Sequence, residues 1–131
     1  MVRSRGRLSR SEDFARVYRA GRSVANKYLV LYYFERPTVG TTDSLEDARI
    51  GFSVSKRLGG AVDRNRVKRV LREVCRAHVQ SLKENMDYVL IARTPLMGLL
   101  ETEGFQGVEA KTMEVFRKAG LLSIQEGTRQ Q

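Results

Sequence analysis

Residues 59–78, GGAVDRNRVKRVLREVCRAH, limit what this chain can become more than any other stretch. Six cations, Arg64, Arg66, Lys68, Arg69, Arg72 and Arg76, fall within thirteen consecutive positions. On a helix turning about 100° per residue they sweep one broad face, and Val67, Val70, Leu71, Val74 and Cys75 fall opposite. One side of such a helix suits burial against a sheet; the other presents cations that repel one another. That repulsion costs stability unless a polyanion neutralises it. The pattern predicts an RNA-docking helix.

The rest of the charge agrees. The chain has 131 residues, 24 Lys+Arg against 15 Asp+Glu, and a formal charge of +9. Between Arg49 and Arg76 lie nine basic residues and only two acids, Asp63 and Glu73, whereas from Thr94 onward four basic residues face five acids. A localised excess of this kind is a footprint for phosphate. A membrane surface also attracts cations, but no stretch has the form of an interfacial anchor. The single cysteine, Cys75, excludes an internal disulfide and any metal site built on cysteine pairs, and on the apolar face it reads as a small buried hydrophobe. The basic N-terminus lacks the apolar run of a secretory signal, and nothing approaches the length of a membrane span. The expectation is one domain over residues 1–131 in the cytoplasm, with a flexible basic arm at 1–10 and a frayed tail at 123–131.

Ser11 followed by Glu12 and Asp13 predicts a helix start, and Gly21 a stop, giving a helix over Glu12–Ala20 with the two acids serving its N-terminus. Residues 27–34, KYLVLYYF, are the clearest strand. Its alternation sets Tyr28, Val30, Tyr32 and Phe34 against Leu29, Leu31 and Tyr33, with both faces apolar and so both covered. Arg36–Asp47 reads as a loop, and Arg49–Ser55 returns as a strand with Ile50, Phe52 and Val54 inward. The basic helix is expected to run to about Lys83, with a turn at Glu84-Asn85. Asp87–Ala92, DYVLIA, is a nearly continuous apolar run that fits a central strand. Residues 96–107 are ambiguous, because Gly98, Gly104 and Gly107 weaken a helical pattern; Val108–Ala119 is a more regular helix. A sheet of three to four strands with helices mainly on one face fits this order.

Little here suits catalysis by the polypeptide itself. His78 is the only histidine, so a two-histidine nuclease mechanism is excluded, and its wheel position predicts a satisfied core residue rather than a general base. The acids form no evident metal cluster, and Gly59-Gly60 reads as a sharp turn rather than a phosphate cradle. Binding is better supplied. Arginine outnumbers lysine in the central stretch, and guanidinium forms bidentate bonds to phosphate and stacks on bases. Asn65 adds a donor and an acceptor on the exposed side. Tyr28, Tyr32 and Phe34, with Phe14 and Tyr18 from the first helix, offer rings on which unpaired bases can stack, beside the plainer alternative of core packing.

Gly59–Glu73, G-G-A-V-D-R-N-R-V-K-R-V-L-R-E, closely resembles the signature of the bacterial ribonuclease P protein subunit. The preceding R-I-G-F-S-V-S-K-R-L-G, the upstream S-E-D-F-A-R-V-Y-R-A-G-R-S-V-A-N, and the later D-Y-V-L-I-A-R and F-R-K-A-G-L-L are similar to the rest of that family, in the same order. The resemblance implies an α+β fold, a two-layer sandwich whose small, mostly antiparallel sheet contains a left-handed β-α-β crossover, against the usual right-handed rule. It implies ribonuclease P RNA and precursor tRNA as partners, with no membrane and no obligate protein partner. It assigns cleavage of the 5′ leader to the RNA subunit and its magnesium ions, with no cofactor or metal on the protein and no catalytic side chain from it. By position, Lys56, Arg57, Arg64, Asn65, Arg66, Lys68, Arg69 and Arg72 would face the catalytic RNA, and Phe14, Tyr18 and Tyr32 the leader. Gly60 departs from the pattern, standing where asparagine is common, and the 36–47 and 96–107 segments follow no family pattern. The rival readings are a ribosomal-type structural RNA-binding protein, an autonomous nuclease and, more weakly, a DNA binder.

Overall fold

The computed structural model describes residue 8 and residues 11–37 and 48–122. The predicted tail, most of the 36–47 loop and all of the predicted arm but Leu8 lie outside these. The elements are α1 (Ser11–Ala20), β1 (Arg22–Ala25), β2 (Leu29–Glu35), β3 (Arg49–Val54), α2 (Ala61–His78), β4 (Met86–Ala92) and α3 (Pro95–Lys118). The strands form one sheet in the order β1-β2-β4-β3. β1 with β2 and β2 with β4 are antiparallel, while β3 and β4 run parallel and are joined through α2. The fold is therefore α+β with a mostly antiparallel sheet.

β4 explains the layering. Six of its seven residues are buried, as a central strand covered on both faces requires. Tyr88, Leu90 and Ala92 point into the main core, where they meet Leu29 and Leu31 of β2, Val67, Leu71 and Val74 of α2, and Leu96, Val108 and Phe116 of α3. Val89 points the other way, into a small cluster with Val17 of α1 and Leu8. Two helices thus cover one face and α1 the other. Leu8 corrects the expectation of a free arm at its own position: it is 3% exposed, and its N–H donates to the Ile50 carbonyl at 2.9 Å.

Other boundaries shift for physical reasons. β1 was not expected; it is a four-residue edge strand, largely exposed, with no apolar alternation to announce it. α2 stops at His78 rather than near Lys83. A 3₁₀ turn, Val79–Ser81, and the positive φ of 66° at Asn85 swing the chain back to begin β4. Residues 95–118 are helical on both sides of a kink at Gly104, where φ of 68° and ψ of −156° suit only glycine. Tyr28 leaves the Tyr32 face. Asn26 Oδ1 accepts from the N–H groups of Tyr28 and Leu29, both at 2.9 Å, so alternation begins only at Leu29. The Tyr28 ring packs on the main core beneath the Lys27 and Lys111 ammonium groups.

Candidate nucleic-acid interface

α2 is fixed by its apolar stripe: Val67, Leu71, Val74 and Cys75 are buried, and Val70 packs on their edge. Burial pushes the Cys75 thiol up to about 12, so it is an inert packing residue. Gly60 supplies the N-cap in an extended conformation but no side chain to bond the free N–H groups. On the opposite side Asn65, Arg66, Arg69 and Arg76 are exposed, and Arg64, Lys68 and Arg72 are half-buried. Arg64 Nε donates to the Gly59 carbonyl at 3.2 Å, which holds its side chain along the helix start. Arg72 Nε is shielded without a hydrogen-bond partner. Among the described residues, no carboxylate pairs with any of the six cations.

Lys56 and Arg57 are exposed on the 3₁₀ turn Lys56–Leu58, which Ser55 Oγ caps by accepting from the Arg57 N–H at 3.3 Å. All eight residues expected to meet RNA thus lie on one continuous turn and helix. His78 departs from expectation. Its ring is 31% exposed at the helix end, not in the core, and Nε2 lies 2.7 Å from Glu109 Oε2 on α3. That bond occupies it as a tie between helices.

The aromatic residues come together on the α1 face. Phe14 and Tyr18 meet edge to face with centroids 6.4 Å apart, and Tyr18 meets Tyr32 at 5.0 Å and 80°. Tyr18 remains 41% exposed. Its hydroxyl is pushed up chiefly by burial, with the Ser53 side chain partly offsetting this. Phe34 joins Phe14 and Tyr32 around the small cluster. The absence of a side chain at Gly51 makes the arrangement possible, because a Cβ there would stand 2.5 Å from Phe14 Cζ.

Two features of the structure have little local signature in the sequence. Asp13 stands in the first turn of α1, as expected, but also has a tertiary use. It is 7% exposed and accepts from Arg16 Nη1 at 2.9 Å, beside Asp87, which is fully buried in β4. Arg49, counted above among the cations facing phosphate, instead donates from Nε and Nη2 to Asp87, both at 2.9 Å, and these bonds raise its already high pKa. The only signal was an acid at the head of an apolar strand. The second feature is a cleft of about 380 Å³ where β3 and β4 end, bordered by Ser55, Arg57, Arg93 and Thr94.

Among the described residues, no group of three or more His, Cys, Asp or Glu side chains is placed to hold a metal ion. Nor is any described helix long and apolar enough to cross a membrane. A helix of uncompensated arginines on one layer and a half-open aromatic stack on the other define an RNA-binding α+β protein. The family model described as Ribonuclease P matches residues 2–120, and the chain belongs to that family. It is 35% identical over 124 residues to the ribonuclease P protein component of Bacillus pumilus, covering 95% of this chain and 96% of the relative. To that of Clostridium acetobutylicum it is 38% identical over 120 residues, covering 92% and 93%. The solved structure of the Staphylococcus aureus RNase P protein superposes with a TM-score of 0.75 at 31% identity, over 90% of this chain and 98% of the other. The Thermotoga maritima RNase P protein gives 0.74 at 27% identity, over 86% and 96%.

Proposed function

We propose that the cationic face of α2, with Lys56 and Arg57, docks on ribonuclease P RNA, while Phe14, Tyr18 and Tyr32 receive the single-stranded 5′ leader of precursor tRNA. As a member of the family, the chain is part of an endoribonuclease that processes the 5′ end of tRNA, and its partner is the ribonuclease P RNA. Lys56, Arg57, Arg64, Asn65, Arg66, Lys68, Arg69 and Arg72 supply the docking contacts in this reading. The RNA subunit and its magnesium ions break the phosphodiester, and the polypeptide binds and orients. The cytoplasm, where tRNA precursors are made in bacteria, is the setting.

The observation that carries the leader assignment is Tyr18, edge-on to Tyr32 and still 41% exposed. A ring so placed offers its surface to an unpaired base, a contact worth about 1–3 kcal/mol per base with little demand on sequence. The test is reconstitution with transcribed ribonuclease P RNA and a precursor tRNA at low magnesium. Added protein is expected to raise 5′ cleavage and to favour precursor over mature tRNA. Tyr32→Ala is expected to narrow that preference; an equal drop for precursor and product would place the leader elsewhere.

A further inference from the structure

The charged side chains beneath α1 close into a ring. Arg16 Nη1 donates to Asp13 Oδ1 at 2.9 Å and lies 3.8 Å from Asp87 Oδ2 on β4. Asp87 accepts twice from Arg49 of β3, and Arg49 Nη2 lies 3.8 Å from Asp13 Oδ1, which completes the circuit. Arg36 braces Asp87 from outside the ring, donating from Nη1 to Asp87 Oδ1 at 2.7 Å and to the Met86 carbonyl at 3.0 Å. Two corners stand on α1, which carries Phe14 and Tyr18, and one on β3, which carries the Gly51 that seats Phe14.

α1 needs such a device. Ten residues make a helix too short to hold itself in water. Among the described residues, its only fully buried apolar side chain is Val17, in a cluster whose other buried members are Leu8 and Val89, whereas the main core has 23 buried members. Apolar contact is non-directional and leaves the helix free to turn. Ion pairs name their partners. Turning α1 by one residue, about 100°, would take Asp13 from Arg49 and swing Tyr18 off Tyr32.

We propose that Asp13 and Arg16 are positioning residues for leader recognition, locking the rotation of α1 through Arg49 and Asp87 so that its rings meet Tyr32 as one pre-formed stacking surface. Pre-organisation of this kind removes an ordering cost that binding would otherwise bear. The inference rests on the leader assignment above, and the experiment separates the two.

The full chain, assembled with ribonuclease P RNA, is titrated with precursor and with mature tRNA. Asp13→Asn removes a negative charge, so electrostatics alone would tighten RNA binding. The positioning role requires the opposite sign: precursor affinity falls about tenfold, as expected when one stacked base is lost, with mature tRNA and RNA-subunit affinity unchanged. Added to Tyr32→Ala, Asp13→Asn should cost little more, because both act on the same surface. Arg16→Gln, at a side chain 38% exposed, repeats the measurement should Asp13→Asn fail to fold. Tighter or unchanged precursor binding, equal loss for precursor and mature tRNA, or strict additivity with Tyr32→Ala would overturn the proposal. A Tyr32→Ala variant that keeps full leader preference would instead remove the leader assignment beneath it.

Discussion

The arginines of α2 and those beneath α1 are the same side chain in opposite circumstances. Along α2, Arg66, Arg69 and Arg76 stand in solvent, and the helix's own acids, Asp63 and Glu73, form no ion pair among the described residues. Beneath α1, Arg36 and Arg49 are drawn onto one carboxylate, Asp87, which has no access to water. The acids make the difference. A carboxylate buried in a central strand must be paired, so it recruits cations from neighbouring elements. A helix face without such a carboxylate leaves its charge for an outside polyanion. The basic excess of this chain therefore has two separate uses, one internal and one external.

The comparison is sharpest where the two regions are broken separately. Asp87→Ala removes the buried carboxylate that Arg36 and Arg49 share and is expected to destabilise the fold by about 3–5 kcal/mol. Urea unfolding measures this, and a loss below about 1 kcal/mol would show the ring to be structurally idle. The triple variant Arg64→Ala, Arg66→Ala, Arg69→Ala should do the reverse. Its unfolding midpoint stays put, while its affinity for the RNA subunit falls on the order of 10²-fold at physiological salt. The slope of log affinity against log salt drops by about three, and an unchanged slope would refute the docking role.

Smaller changes probe each region from its edge. Gly51→Ala places a methyl group against the Phe14 ring, an overpacking expected to cost about 1–3 kcal/mol and to reduce leader preference without touching the α2 salt slope. Gly60→Asn enters open space at the N-cap of α2. It should gain only a few tenths of a kcal/mol, seen as a small rise in melting temperature with RNA affinity unchanged.

These two regions were not equally legible in the sequence. The amphipathic spacing of α2 and the unbroken apolar run of β4 are local patterns, and each led to the right element. The eight docking candidates share one turn and helix because they are neighbours in the chain. The ring beneath α1 is different in kind: Arg49 and Asp87 are 38 positions apart, and no window of sequence pairs them. Local chemistry places Asp13 in the first turn of α1, but nothing local announces its tertiary pairing with Arg49. β1 went unread because an exposed edge strand of four residues needs no hydrophobic alternation. Strand alternation puts Tyr28 on the Tyr32 face, but an Asn26-centred turn delays the start of the strand's period and turns it to the other side.

Gly104 sets a matter of length. Unbroken, the 24 residues of α3 would form a rod of about 36 Å, while the seven-residue strands β2 and β4 reach only about 23 Å. A straight rod would overhang the sheet by about two and a half turns of helix (about 13 Å) and carry its apolar residues past anything that could cover them. The bend folds the excess back, so that Leu96 and Leu100 before it and Val108 and Phe116 after it reach one core. The shortest side chain in the alphabet thus lets the longest helix fit a short sheet.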